Sequence, residues 1–240
     1  MSIRTIIDWL CGGRRKDQPQ ESLSPETDLP RQVNLLSANE RDKIVARHLR
    51  SHLEPLGFVE VAPRRWVNGS VPPARQLFQM SLFRGASMRP SWGFSLDFVP
   101  HLSGHRICWH RTDRTAKLDV FVDPPDGGEA CFLWGAEWLD RDLKQLLPAA
   151  IERARDTWRR GETWPGKLDI VREIRERKTN RLWLDYYSQL SLAFIFLSAK
   201  TGDLAEAQAE LDICVRKWDL PEKTATKLAD LVQTLHSARE

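Results

Sequence analysis

The chain has 240 residues, of which 41% are hydrophobic and 29% charged, and its formal net charge is +3 at pH 7. This balance excludes a globally disordered chain and suits one large folded domain or two small ones. The four cysteines are scattered without a CxxC pair, which argues against a disulfide framework or a zinc site and favours a reduced, cytoplasmic setting.

Residues 1–36 are predicted to form a short amphipathic helix followed by a linker. Apolar residues recur at helical spacing from Ile3 to Leu10, and Gly12 and Gly13 end the pattern. The polar stretch that follows contains three prolines, which is typical of a flexible arm. We expect the helix to dock on the body of the protein, with a partner or a membrane surface as the alternative. No apolar run approaches the roughly 20 residues of a membrane span, so no transmembrane segment is expected.

Residues 37–135 are predicted to form a sheet module. Ser37 and Glu40 have the spacing of a helical capping box. Two later stretches, 78–82 and 92–98, alternate apolar and polar residues, as expected of antiparallel strands with one buried face. The segment between them, Arg84 to Ser91, is predicted to be a long basic loop of the kind that often carries binding residues.

Residues 136–240 change to helical periodicity and are predicted to form a helical module. Pro148 should kink or divide the first helix. The turn at Gly202 and Asp203 resembles the second half of a tetratricopeptide repeat, but only one such unit is visible, so we interpret it as a helical hairpin. The predicted fold class is therefore α+β: an antiparallel β-meander packed on helices, followed by an all-helical C-terminal module.

Positive charge is concentrated between Val61 and Thr115, where eight arginines face two aspartates and no lysine. One interpretation is a solvated surface on which arginine stems pack. The other is a face that binds an acidic protein surface or nucleic acid, with aromatic rings available for stacking. On that second interpretation the candidate partner-binding residues are Arg64, Arg65, Trp66, Arg84, Arg89 and Trp109.

Candidates for catalysis or metal binding lie just after the second central strand. Asp97 is the one acid in the polar row of these strands, and it is either a candidate catalytic residue or a hydrogen-bonded sheet residue. His101, His105 and His110 form part of the densest set of potential metal ligands, although their spacing matches no known closed site. The chain contains no phosphate-binding loop, nucleotide fingerprint or nucleophile elbow, and no cofactor is expected.

Several short motifs carry a resemblance to a known family. They are a helix end reading His52-Leu-Glu-Pro-Leu-Gly-Phe58, then Trp66, then Phe78-Gln-Met-Ser81, and then Trp92-Gly-Phe-Ser-Leu-Asp-Phe98. Over about residues 40–125 this pattern resembles an uncharacterised bacterial domain family of unknown function. The resemblance implies an α+β fold and a bacterial, cytoplasmic protein, and it transfers no catalytic residues.

Two functions are compatible with these observations. The first, which we prefer, is a non-enzymatic bacterial interaction protein that binds a protein partner, and a toxin–immunity or phage-defence system is one setting that analogy suggests for it. The second is a nucleic-acid-binding protein, or a metal-dependent hydrolase or nuclease, that acts through the basic face of the sheet module. An enzyme would use Asp97 together with His101, His105 or His110.

Overall fold

The computed structural model describes residues 36–69, 73–83, 87–122, 130–177 and 188–238. The chain divides into two units, Met1–Val33 and Asn34–Glu240, and all the elements given below belong to the second. The predicted N-terminal helix and nearly all of its linker lie outside the described residues. The α+β fold class is confirmed by the helices and antiparallel strands of the second unit.

The second unit begins with helix α1, which is followed by a 3-10 turn at Glu54–Leu56 and a set of strands. The capping box that the sequence predicts is present at the start of α1, where the Ser37 hydroxyl accepts from the Glu40 N–H and the Glu40 carboxylate reaches back to the Ser37 N–H. The elements of this half are α1 Ala38–Leu53, β1 Val59–Ala62, β2 Arg65–Asn68, β3 Ala74–Phe83, β4 Ser87–Leu96, β5 His101–Ser103, β6 Arg106–Cys108, β7 Val120–Val122 and β8 Cys131–Phe132.

The main sheet is antiparallel in the order β1-β2-β3-β4-β7, and β8 pairs with the other end of β4. Its central pair is β3 and β4, which are in register from Ala74 opposite Leu96 to Phe83 opposite Ser87. Strands β5 and β6 form a separate hairpin. The remaining helices are α2 Ala136–Arg160, α3 Trp164–Arg177, α4 Ser188–Thr201, α5 Leu204–Lys217 and α6 Glu222–Ser237.

Both faces of the sheet are covered, but by different layers. One large apolar cluster joins alternate strand residues, such as Trp66, Phe78 and Trp92, to the buried faces of the helices. On the other face Val67 and Leu77 of the sheet form a small cluster with Ala116, which belongs to the loop that precedes β7. This division follows from the strand period of two, which sends neighbouring side chains to opposite faces.

The structure corrects one sequence prediction about proline and excludes one of the two alternatives predicted for another. The stretch from Arg84 to Ser91 is not a long loop, because β4 already begins at Ser87 and Pro90 lies within it opposite Met80. Proline is tolerated there because β4 pairs with β8 before this point and with β7 after it, so its outer edge needs no N–H at Pro90. Helix α2 is not divided at Pro148, which is exposed on the solvent side of the helix, where water can bind the freed carbonyl.

The predicted boundary between residues 135 and 136 falls inside the second unit, at the change from strands to helices. Helix α2 packs against β4, and helix α3 packs against β7. One apolar cluster extends from α1 through the sheet to α6. The sheet and helical portions therefore share a core.

Candidate functional site

Asp97, the candidate catalytic acid, lies immediately after β4 in an ion pair. The Arg75 guanidinium donates to the Asp97 carboxylate through Nη1 and to Asp113 Oδ1 through Nε at 2.6 Å, and Nη2 donates to the Arg111 carbonyl at 2.7 Å. The Arg75 side chain is only 8% exposed. This arrangement holds the loop before β7 against the end of the sheet, so the contacts of Asp97 are those of a structural residue.

The structure brings together two of the three candidate metal-binding histidines. The rings of His101 and His110 meet edge to face with centroids 5.4 Å apart. His105 lies apart from them in the exposed β5–β6 turn, where its backbone carbonyl accepts from the Thr224 hydroxyl. The acid beside the two histidines is Asp119, which the sequence analysis did not single out.

Asp119 is buried and is the centre of a polar cluster. Its Oδ1 lies 3.2 Å from His110 Nε2 and accepts from the Gln189 amide, and its Oδ2 accepts from the Leu96 N–H at 2.6 Å. Burial raises the pKa of Asp119, and the hydrogen bonds from His110, Leu96 and Gln189 oppose that rise. The cluster thus joins the sheet edge to helix α4.

His101 has both ring nitrogens engaged in the same cluster. Its Nδ1 lies 3.1 Å from Gln189 Oε1, and its Nε2 lies 3.1 Å from Lys117 Nζ. A metal could use His101 only by displacing one of these partners. Within the described ranges, moreover, no three His, Cys, Asp or Glu side chains are grouped to hold a metal ion.

Most of the predicted partner-binding arginines are engaged within the protein. Arg64 forms an ion pair with Asp42 at 3.1 Å, and Arg65 donates to the Ala116 carbonyl at 3.3 Å. The Arg89 guanidinium lies over the Phe83 ring, 5.2 Å from its centroid. Arg84 lies outside the described residues. Among the described arginines of this region, the exposed ones are Arg106, Arg111 and Arg114.

The two predicted stacking rings differ in access. Trp66 is 1% exposed and belongs to the large apolar cluster, so its assignment to a binding surface is wrong. The error arises because both faces of the sheet are covered at β2, so Trp66 and its neighbour Val67 are both buried, on opposite faces. Trp109 is half-buried, and the Arg111 guanidinium lies over its ring, 3.9 Å from the centroid.

A different group of aromatic residues is exposed at the junction of β8 and α2. Phe132, Trp134 and Trp138 are 40%, 49% and 49% exposed, and together with Arg141 they form what we term the aromatic surface. The rings of Phe132 and Trp134 stack with centroids 4.8 Å apart, and the Trp134 and Trp138 rings meet at 6.3 Å and 67°. The Arg141 guanidinium lies over Trp138, 4.1 Å from the ring centroid.

These residues border an open depression of about 460 Å³, which Gln145 and Leu146 also line. Phe132 and Trp134 share one side of an extended segment because they are two residues apart. Trp138 lies in the first turn of α2, where its ring meets that of Trp134. Helical spacing alone does not separate Trp138, which is 49% exposed, from Leu139 and Leu143, which are buried.

Comparison of the chain with protein-family models, with curated proteins and with solved structures found no match. Across the part of the chain that the structure describes, none of the helices combines the length and apolar character needed to cross a bilayer.

Proposed function

We propose that this chain is an interaction protein that binds a protein partner through the aromatic surface. The observation that supports the proposal is the grouping of Phe132, Trp134 and Trp138, each at least 40% exposed, around one depression. Large side chains normally leave water when the chain folds, and exposed apolar groups of this kind mark binding sites. Tryptophan and arginine are also enriched among the residues that dominate binding energy.

The chemistry of the surface indicates what such a partner presents. The depression is bordered by aromatic rings and Leu146, which suit an apolar side chain, and by the polar residues Asp142 and Gln145. The Arg141 guanidinium lies over Trp138 and pairs with Asp142 at 3.3 Å, but 53% of its side chain is exposed, so a carboxylate of the partner can compete with Asp142 for it at the rim. The partner is therefore proposed to carry an apolar anchor next to an acidic residue. The toxin–immunity or phage-defence role stays a prediction.

The experiment is site-specific photo-crosslinking in the native host. A benzophenone amino acid replaces Gln145, which lines the depression, and in a matched control it replaces Glu152, which is exposed on the same helix. We expect a protein to be captured from position 145 but not from position 152, and the capture should survive nuclease treatment. That protein is then purified for affinity measurements. Equal capture from both positions would contradict the proposal.

The affinity measurements compare alanine substitutions at three residues whose side chains are equally exposed in the wild type. Trp134→Ala and Trp138→Ala should each weaken binding at least tenfold, because hot-spot truncations typically cost about 1.4 kcal/mol or more. Ile213→Ala is the control, because Ile213 is also 49% exposed but lies on α5. Affinity unchanged in both tryptophan variants would refute the assignment of this surface.

A further inference from the structure

A small cavity lies between the sheet and the junction of α2 with α3. Its volume is about 100 Å³. The strands contribute Asn68, Gln76 and Phe94 to its wall, and the helical junction contributes Glu162 and Lys167. Because polar and aromatic groups meet there, the cavity differs from a packing defect between aliphatic side chains.

Lys167 is the unusual member of this wall, because it is a cationic side chain that is only 4% exposed. Its Nζ donates to the Gly161 carbonyl and, at 3.4 Å, to the Glu162 carbonyl. The same atom lies 4.8 Å from the centroid of the Phe94 ring and 4.7 Å from that of Trp164. Two peptide dipoles and two ring faces thus surround the ammonium group.

None of these contacts supplies a negative charge. Among the described residues, no carboxylate forms a salt bridge with Lys167, and the side chain of Glu162 acts on it only at longer range. Buried charges are ordinarily paired, because an isolated ion loses much of its hydration free energy. Consistent with this, burial lowers the pKa of Lys167 to about 8. The cavity lies next to the ammonium group, and Glu162, the one acidic residue among the lining residues, is exposed to solvent. The position that could hold an anion is therefore the part of the cavity against Lys167.

We propose that this cavity binds a short-chain carboxylate, with Lys167 as its counter-charge. The cavity has room for about three water molecules at roughly 30 Å³ each, which suits an anion of two or three carbons. The Gln76 amide, which lines the cavity, can donate to the carboxylate. Phe94 and Trp158 offer apolar surface to the methyl group, which an inorganic anion would not use.

The test measures the thermal stability of the full chain at pH 7 against rising sodium acetate, with sodium chloride at equal ionic strength as the reference. A ligand that binds only the native state raises the melting temperature with concentration. Acetate should give a saturable rise that chloride does not. Absence of any rise beyond that of chloride would overturn the proposal.

Two variants locate the binding, and a third serves as control. Lys167→Met should reduce acetate affinity at least tenfold, because it keeps the length of the side chain and removes its charge. Ala74→Val keeps Lys167 and narrows the cavity, so it should also weaken binding. Lys144→Met, at a lysine whose side chain is 67% exposed on α2, should leave binding unchanged. Acetate binding that persists in both cavity variants would place the anion elsewhere and refute the site.

Discussion

Replacing Arg75 with methionine tests whether one buried guanidinium holds the loop before β7 to the sheet. The substitution removes three hydrogen bonds and leaves the Asp97 carboxylate, whose side chain is 19% exposed, without its cation. Removing one partner of a buried ion pair costs about 3–5 kcal/mol, because the other charge is left poorly solvated. The second carboxylate, Asp113, is 55% exposed and should add less than about 1 kcal/mol.

We therefore expect Arg75→Met to lower the free energy of unfolding by about 3 kcal/mol, which corresponds to roughly 6–12 °C in melting temperature for a domain of this size. Urea denaturation monitored by tryptophan fluorescence measures the change. The comparison holds when the slope of the unfolding free energy against urea concentration is the same in both proteins. Arg50→Met is the matched control, because Arg50 also pairs with two carboxylates but is 57% exposed. A loss below about 1 kcal/mol for Arg75→Met, similar to that of the control, would refute the reasoning.

Two further predictions concern Lys167 and Gly93. The pKa of Lys167 is about 8 in the folded chain and 10.5 in the unfolded chain. Between these pH values the unfolded chain binds more protons than the folded chain, so the folded chain becomes more stable as the pH rises. The stability of the wild type relative to Lys167→Met should therefore rise by about 3 kcal/mol from pH 8 to pH 10.5 in urea titrations, and a constant difference would contradict this. Gly93→Ala should cost more than about 4 kcal/mol by calorimetry, because a Cβ there would lie 1.8 Å from the Val120 carbonyl oxygen at a φ of +150°. Gly104→Ala, at φ +58° with no atom within 4 Å, should cost only about 1–2 kcal/mol, and equal losses would show that the close approach is not decisive.

The architecture could be predicted largely because its signals are local. Alternation of apolar residues identified β3 and β4, and the change of period identified the helices. The start of β4 was missed because the proline at position 90 suggested a loop. A strand tolerates proline where no neighbouring strand needs its N–H, and this depends on which strands pair with β4 at that point. Pairing between distant segments is not visible in the periodicity of one strand.

The chemically unusual groups were harder to predict, because their properties come from distant residues. Burial raises the pKa of Asp119, and the hydrogen bonds that oppose this rise come from His110, from the Leu96 N–H and from Gln189, which is 70 residues away in sequence. Lys167 has no sequence signal of its own, and its burial follows from the packing of α3 on α2 and of the Lys167 side chain on the Phe94 ring of β4. Exposure of Trp138 likewise depends on how α2 is rotated against the sheet.

Strand β1 has a consequence for how the molecule behaves at high concentration. It is the last strand on its side of the sheet within the described chain, and such an edge offers backbone groups to any second extended segment. Yet β1 has only four residues, its register shifts between Glu60 and Ala62, and the Glu60 carboxylate lies 3.8 Å from Arg50. A short, irregular and charged edge gives an incoming strand few consecutive hydrogen bonds, so it disfavours growth of the sheet from one molecule into the next.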